Sequence, residues 1–206
     1  LKMKKIHSLI IAFTVFLCIG CGKILEEHPQ SQIVPSFFNS PSGVLGGIAG
    51  VYNEIRGQWG TEGFSSEMQA GTDEFIQGAS SGGGPVHTFN GLNSTNFGSA
   101  WGAAFTSINT INGVLKYGQS IDLPAATKNQ YLAQAKFLRA FWYFYLVQTW
   151  GDVPLHTEFI TLPSQSAKRD PAAEVYKLII QDLTEAAAAL PDKPTAPFLG
   201  KAATKP

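Results

Sequence analysis

The stretch Phe137 to Trp150 limits the fold more than any other part of this chain. Five aromatic residues follow one another, Phe141-Trp142-Tyr143-Phe144-Tyr145, and wound as a helix the stretch is apolar on nearly every face. Such a helix is either buried inside a protein or sits in a membrane. Arg139 and Gln148 interrupt it, so it reads as a buried central helix running from about Ala126 to Trp150. Gly151 ends it and Pro154 prevents it from resuming. Other helices must surround it.

Three more are legible. Ser40-Pro41 has the form of an N-cap with proline at the first helical position. Val44, Leu45, Ile48, Val51, Tyr52 and Ile55 then carry a first helix to about Arg56. Its glycines, Gly43, Gly46, Gly47 and Gly50, each cost roughly 1 kcal/mol against alanine, which points to close packing against a neighbour. A second helix begins at Asn96 or Phe97 and ends near Gly118, with Trp101, Ala104, Phe105, Ile108, Ile111, Val114 and Leu115 as its stripe. Asp170-Pro171 opens a fourth through Leu190, its face expected at Val175, Leu178, Ile179, Leu183, Ala186 and Leu190. Pro191, Pro194 and Pro197 close it. The class is all-α.

Two segments lie outside this pattern. Residues 152–168 read as an extended connector. Gly57 to Thr95 is rich in Gly, Ser, Thr and Asn, with Gly82-Gly83-Gly84-Pro85 at its centre and Trp59, Phe64, Phe75, His87 and Phe89 scattered through it. So long a loop in a compact domain is uncommon and is often functional.

The first twenty residues carry an address. Lys2, Lys4 and Lys5 precede the apolar run Leu9 to Ile19, which is short of the roughly 20 residues a membrane-spanning helix needs. Residues 1–20 read as a signal peptide, with Met3 as the plausible start. Ile19-Gly20-Cys21 has the small residue before cysteine that marks a lipoprotein signal. Cleavage would remove Cys18 and leave Cys21 to carry lipid, with residues 21–39, punctuated by Pro29 and Pro35, as tether and lead-in. Residues 40–206 form the helical domain. With Lys2, Lys4 and Lys5 gone, twelve bases face fifteen acids, a net charge of −3. That is no footprint for nucleic acid, which calls for a basic stripe.

Catalytic chemistry is thin. The four histidines (His7, His28, His87, His156) show no metal-ligand spacing. The triple glycine lacks the lysine and strand-to-helix setting of a phosphate loop, and no nucleophile elbow occurs. Asp73-Glu74 is an adjacent carboxylate pair, but neighbouring side chains diverge, which suits a solvated loop better than acid–base work. No cofactor and no enzyme is expected.

The helix-three region carries a family likeness. Ala135-Lys136-Phe137-Leu138-Arg139-Ala140-Phe141-Trp142-Tyr143-Phe144, followed by Trp150-Gly151-Asp152-Val153-Pro154-Leu155, resembles the SusD/RagB family of outer-membrane nutrient-binding lipoproteins. Cys21 through Leu25-Glu26-Glu27-His28-Pro29, Tyr52, Trp101 to Asn112, and Arg169 through Val175-Tyr176 to Asp182-Leu183 and Leu190-Pro191 are similar to further family segments. The resemblance implies a tetratricopeptide-like helical scaffold with irregular inserts that build a ligand site. It also implies docking onto a TonB-dependent transporter of the SusC type. Family members are far longer, and Gly200-Lys201-Ala202-Ala203-Thr204 resembles the lead-in to their next helix. The chain is thus expected to be an N-terminal piece with apolar helix faces left uncovered.

The expected function is a cell-surface lipoprotein that captures oligosaccharide for import. The alternative is a helical-repeat adaptor whose groove takes protein or peptide partners. The helix-three aromatics read as core, and Arg139 as a buried structural partner of a carboxylate or of helix-end carbonyls. Sugars favour rigid aromatic faces flanked by polar groups, so the long loop supplies the candidate ligand contacts: Trp59, Asp73, His87, Phe89 and Asn90. Asp73 leads, because a carboxylate makes charge-assisted bonds to paired hydroxyls.

Overall fold

The computed structural model describes residues 35–61, 69, 72–74, 98–161, 167–193, 195–197 and 203–205. These lie in one compact unit, Val34–Pro206. The signal peptide, Cys21 and most of the long loop fall outside the described residues.

Four α-helices follow a short 3₁₀ turn at Pro35–Asn39: α1 (Pro41–Trp59), α2 (Gly98–Tyr117), α3 (Ala125–Trp150) and α4 (Ala172–Ala189). Each packs on the next in chain order. Among the described residues the extended pairing is a single antiparallel bridge, Val153 with Asp170. The all-α class expected from periodicity is the class observed.

α1 begins as its sequence requires. Ser40 is extended, and its hydroxyl accepts from the Gly43 amide at 3.1 Å, with Pro41 at the first helical position. Gly43, Val44, Gly47, Ile48 and Val51 are buried, a spacing of three and four that makes one face. The helix runs past Arg56 to Trp59 before Gly60 closes it by donating to the Arg56 carbonyl at 2.9 Å. Trp59 therefore belongs to a helix end, where its ring is seated against Phe141, Trp142 and Tyr145.

Phe38 is the keystone between the 3₁₀ turn and the helices. It is fully buried, and a Cβ on Gly113 would lie 2.3 Å from its ring and one on Gly47 3.0 Å. These glycines let the backbones of α1 and α2 approach an aromatic ring. Gly46 meets Phe37 in the same way, whereas a Cβ on Gly50 would meet nothing within 4 Å. The close-packing expectation holds for three of the four α1 glycines and fails at Gly50.

α3 is the central element. Leu138, Ala140, Trp142, Tyr143 and Leu146 are all at most 1% exposed. Gly151 ends the helix with φ +70°, donating its amide to Val147 at 3.0 Å. Glycine tolerates this left-handed geometry without the Cβ penalty other residues incur. α3 and α4 run antiparallel, as three side-chain pairs show: Lys136 with Glu185, Arg139 with Asp182, and Gln148 with Tyr176. One number rises as the other falls.

The buried stripe of α4 is Val175, Ile179, Asp182 and Ala186. Leu183, expected on that face, is 42% exposed, and Ile180 is 64% exposed. The register turns on Asp182: its carboxylate has a partner inside the protein, so it occupies the inward position beside which Leu183 points out.

Candidate functional site

Two groups of residues organise the ends of the helices. The first is a polar network that holds the α3–α4 connector. Arg139 grips Asp182 through Nε to Oδ2 at 2.7 Å and Nη2 to Oδ1 at 2.9 Å, and donates from Nη1 to Asn112 Oδ1 at 3.0 Å. Asn112 in turn donates to the carbonyls of His156 and Glu158 at 3.0 and 3.2 Å. The Tyr143 hydroxyl donates to the His156 carbonyl at 2.8 Å and accepts from its amide at 2.6 Å. One turn back on α2, Asn109 donates to the Ile160 carbonyl at 3.0 Å and accepts its amide at 2.8 Å.

Side chains thus supply the partners a neighbouring strand would supply to residues 156–160, the described residues of the connector that face α2 and α3. Buried polar groups are costly unless paired, and here Arg139, Asp182 and Asn112 are all buried and all bonded. Burial pushes the Tyr143 phenol well above its usual range, only partly offset by its bond to His156 and by the Arg139 charge. It remains a neutral donor–acceptor at any ordinary pH. Asp152 and Asp170 finish the connector by accepting the amides of Ala172 and Leu155, each at 2.9 Å. Asp170 therefore braces the connector instead of capping α4.

The second group is aromatic. Trp59 at the end of α1 meets Phe141, Trp142 and Tyr145 edge-on, with centroids 4.9, 5.5 and 5.0 Å away. Tyr145 continues to Trp150 at 5.7 Å, and Trp150 to Trp101 at 5.2 Å. This edge-to-face chain joins α1, α2 and α3 and anchors the near end of the long loop. Within it Trp142 Nε1 is buried without a hydrogen-bond acceptor among the described residues.

Of the candidate ligand residues, Trp59 is half-buried in this chain of rings and Asp73 is exposed in the short described stretch Thr72–Glu74. His87, Phe89 and Asn90 lie outside the described residues, as does the lipid-anchor cysteine, Cys21. The helix-three aromatics pack as core, as expected, although Phe144 is 48% exposed. Arg139 is buried on a carboxylate, also as expected. Asn109, Asn112 and Tyr143 escaped the sequence reading as a set, because what unites them is a connector more than 40 residues from Asn112. Among the described residues no group of three His, Cys, Asp or Glu side chains is placed to hold a metal ion. No helix among them is long and apolar enough to cross a membrane.

A family model described as "Starch-binding associating with outer membrane" matches residues 23–205. The chain belongs to this SusD-like family. SusD-like protein P2 of Formosa agariphila is 30% identical over 200 residues, covering 93% of this chain and 39% of the relative. SusD-like protein P25 of the same organism is 27% identical, covering 77% of this chain and 33% of that one. The chain thus spans between a third and two fifths of the curated relatives it matches. Among solved structures, a laminarin-binding SusD-like protein superposes with a TM-score of 0.70 at 28% identity, over 80% of this chain and 37% of that protein. A SusD-like protein from Bacteroides fragilis gives a TM-score of 0.66 at 20% identity, over 84% of this chain and 34% of that one, a likeness of fold. SusD-like proteins are glycan-binding and associated with the outer membrane.

Proposed function

We propose that this chain is part of a surface lipoprotein, anchored through lipid on Cys21, that captures oligosaccharide and delivers it to a TonB-dependent transporter of the SusC type. The observation that carries the reading is the family match along residues 23–205. The likeness to a laminarin-binding relative adds a neutral glucan as the class of ligand to try first. The architecture fits: a rigid helical frame, with a connector locked by side chains and an aromatic chain at the loop's root, can hold a polar loop out to a ligand. Asp73 is the proposed hydroxyl acceptor, being exposed and charged. Trp59, His87, Phe89 and Asn90 are the proposed accompanying contacts. The role is binding without turnover.

The test is electrophoresis of the full-length protein through gels carrying laminarin, starch or another neutral polysaccharide, with a reducing-end assay alongside. Retardation by at least one polysaccharide, with no reducing ends released, is the expected result, and Asp73→Ala should weaken the retardation about fivefold or more. If no polysaccharide retards the protein but peptide ligands bind it, the glycan reading fails and the adaptor reading replaces it.

A further inference from the structure

Residues 203–205 touch three helices. The Ala203 amide donates to the Tyr52 hydroxyl at 3.0 Å, and the Ala203 carbonyl accepts from Gln134 Nε2 at 2.8 Å. The Tyr52 hydroxyl donates onward to Gln134 Oε1. Both polar groups of one backbone residue are therefore taken up by side chains, one from α1 and one from α3. The Ala203 side chain packs against the small buried cluster of Ala133, Ala186 and Leu190. Lys205 adds an amide bond to the Pro191 carbonyl at 3.0 Å and a weak exposed ion pair to Asp192 at 3.7 Å.

Gln134 makes this arrangement informative. It is 1% exposed, a primary amide inside a helix whose other inward positions are nearly all apolar. A buried amide costs free energy unless it is bonded, and the partners of this one are Tyr52 and Ala203. Without residue 203 the Gln134 NH₂ and the Tyr52 oxygen would each lose a partner at a part-buried site. The helix sequence is thus adapted to hold this segment. α1 also meets α3 along a shorter stretch than it meets α2, so a bridge between α1 and α3 matters more there than elsewhere.

We infer that Ala203–Lys205 is a strap that fastens the second half of α1 to the α3–α4 hairpin, with Tyr52 and Gln134 as its buckle. Tyr52 lies two helical turns before Trp59, where α1 gives way to the long loop. Fastening the strap therefore fixes the root from which that loop departs. Releasing it loosens α1 between Tyr52 and Trp59, whose ring stays seated on α3, while leaving the α2–α3 contact intact.

Trypsin cleavage after Lys201 reads the strap directly. The scissile bond has Ala203 as the second residue on its far side, so the protease cannot seat the chain until Ala203 leaves its buckle. Cleavage there then follows the population of the released state. Tyr52→Phe and Gln134→Met, each near its parent in volume, should speed cleavage after Lys201 about tenfold, the factor expected for losing a charge-free but part-buried hydrogen bond. In the same variants, hydrogen exchange should quicken at amides 52–59 and stay unchanged at 108–114. Ala203→Pro removes the strap's amide donor and fixes its φ without altering either helix, and should quicken exchange at 52–59 even if a helix variant fails to fold. Wild-type cleavage rates in the folded variants would overturn the buckle. Faster cleavage with unchanged exchange at 52–59 would overturn the fastening of α1.

Discussion

Arg139 on α3 and Asp182 on α4 form a fork-on-carboxylate pair, 2.7 Å from Nε and 2.9 Å from Nη2, with side chains only 10% and 2% exposed. The pair sets the register of two helices, and the third guanidinium nitrogen reaches Asn112 on α2. A buried pair of this kind does not guarantee net stability, since desolvation can cancel the attraction. Its removal by halves is another matter.

Asp182→Ala should therefore cost about 3–5 kcal/mol, because it strands a guanidinium in the interior. Arg139→Lys should also destabilise, since an ammonium cannot reproduce the fork. The double change Arg139→Met with Asp182→Leu should recover most of the loss. Urea unfolding of the four proteins checks this. A double variant no more stable than Asp182→Ala would show that the pair acts through its geometry and not its charge balance.

The glycines offer an opposed pair of outcomes. Alanine at Gly113 would place Cβ 2.3 Å from the fully buried Phe38 ring, and overpacking a tight site costs about 1–3 kcal/mol. That exceeds the helix propensity gained. At Gly50 the space is open, so Gly50→Ala should stabilise by up to about 1 kcal/mol. Thermal melts of the two variants should move in opposite directions.

These cases show what could be read from residue order alone. Periodicity finds α1 to α4 because burial repeats every three or four residues whatever the partner is. Ser40-Pro41 was legible because an N-cap acts within three residues. Which glycines approach a ring was not, since Gly113 and Gly50 look alike until Phe38 is placed. Leu183 looked inward by period, but Asp182 took the inward position through a partner 43 residues away. Tyr52 belonged to the α1 stripe by period, but its bond with Gln134 and Ala203 left no local pattern, because Ala203 lies 151 residues from one and 69 from the other. Of the ligand candidates, the composition of the loop named them and nothing in the order of residues ranks their contacts.

Tyr52 also gives a pH dependence with a definite sign. Burial pushes its phenol from 10.0 up to about 12, partly offset by the bond from Ala203. Between those values the unfolded chain has lost the proton while the folded protein keeps it. The stabilising contribution is complete below pH 10 and falls by about 1.4 kcal/mol per pH unit as pH rises toward 12. Wild type should therefore lose stability faster than Tyr52→Phe over that window, and the gap between them should narrow. Urea midpoints at pH 9, 10.5 and 11.5 measure it; parallel curves would mean that the Tyr52 proton is no more tightly held in the fold.

The anchor reading has its own test, because it depends on one atom. The leader would take Cys18 with it, leaving Cys21 as the one cysteine among residues 21–206. One acyl chain holds a protein at a membrane only marginally, whereas several on a single residue hold it firmly, each buried CH₂ adding about 0.8 kcal/mol. No helix among the described residues offers a second way to stay in a bilayer. Cys21→Ala in the full-length protein should therefore move it from the membrane pellet to the periplasmic extract. The mutant should come away without the mass of acyl chains, and its described helices should fold as before, since none of them contains Cys21. Retention of the mutant in the membrane after a high-salt wash would mean that something other than lipid holds it there, and the lipoprotein assignment would fall.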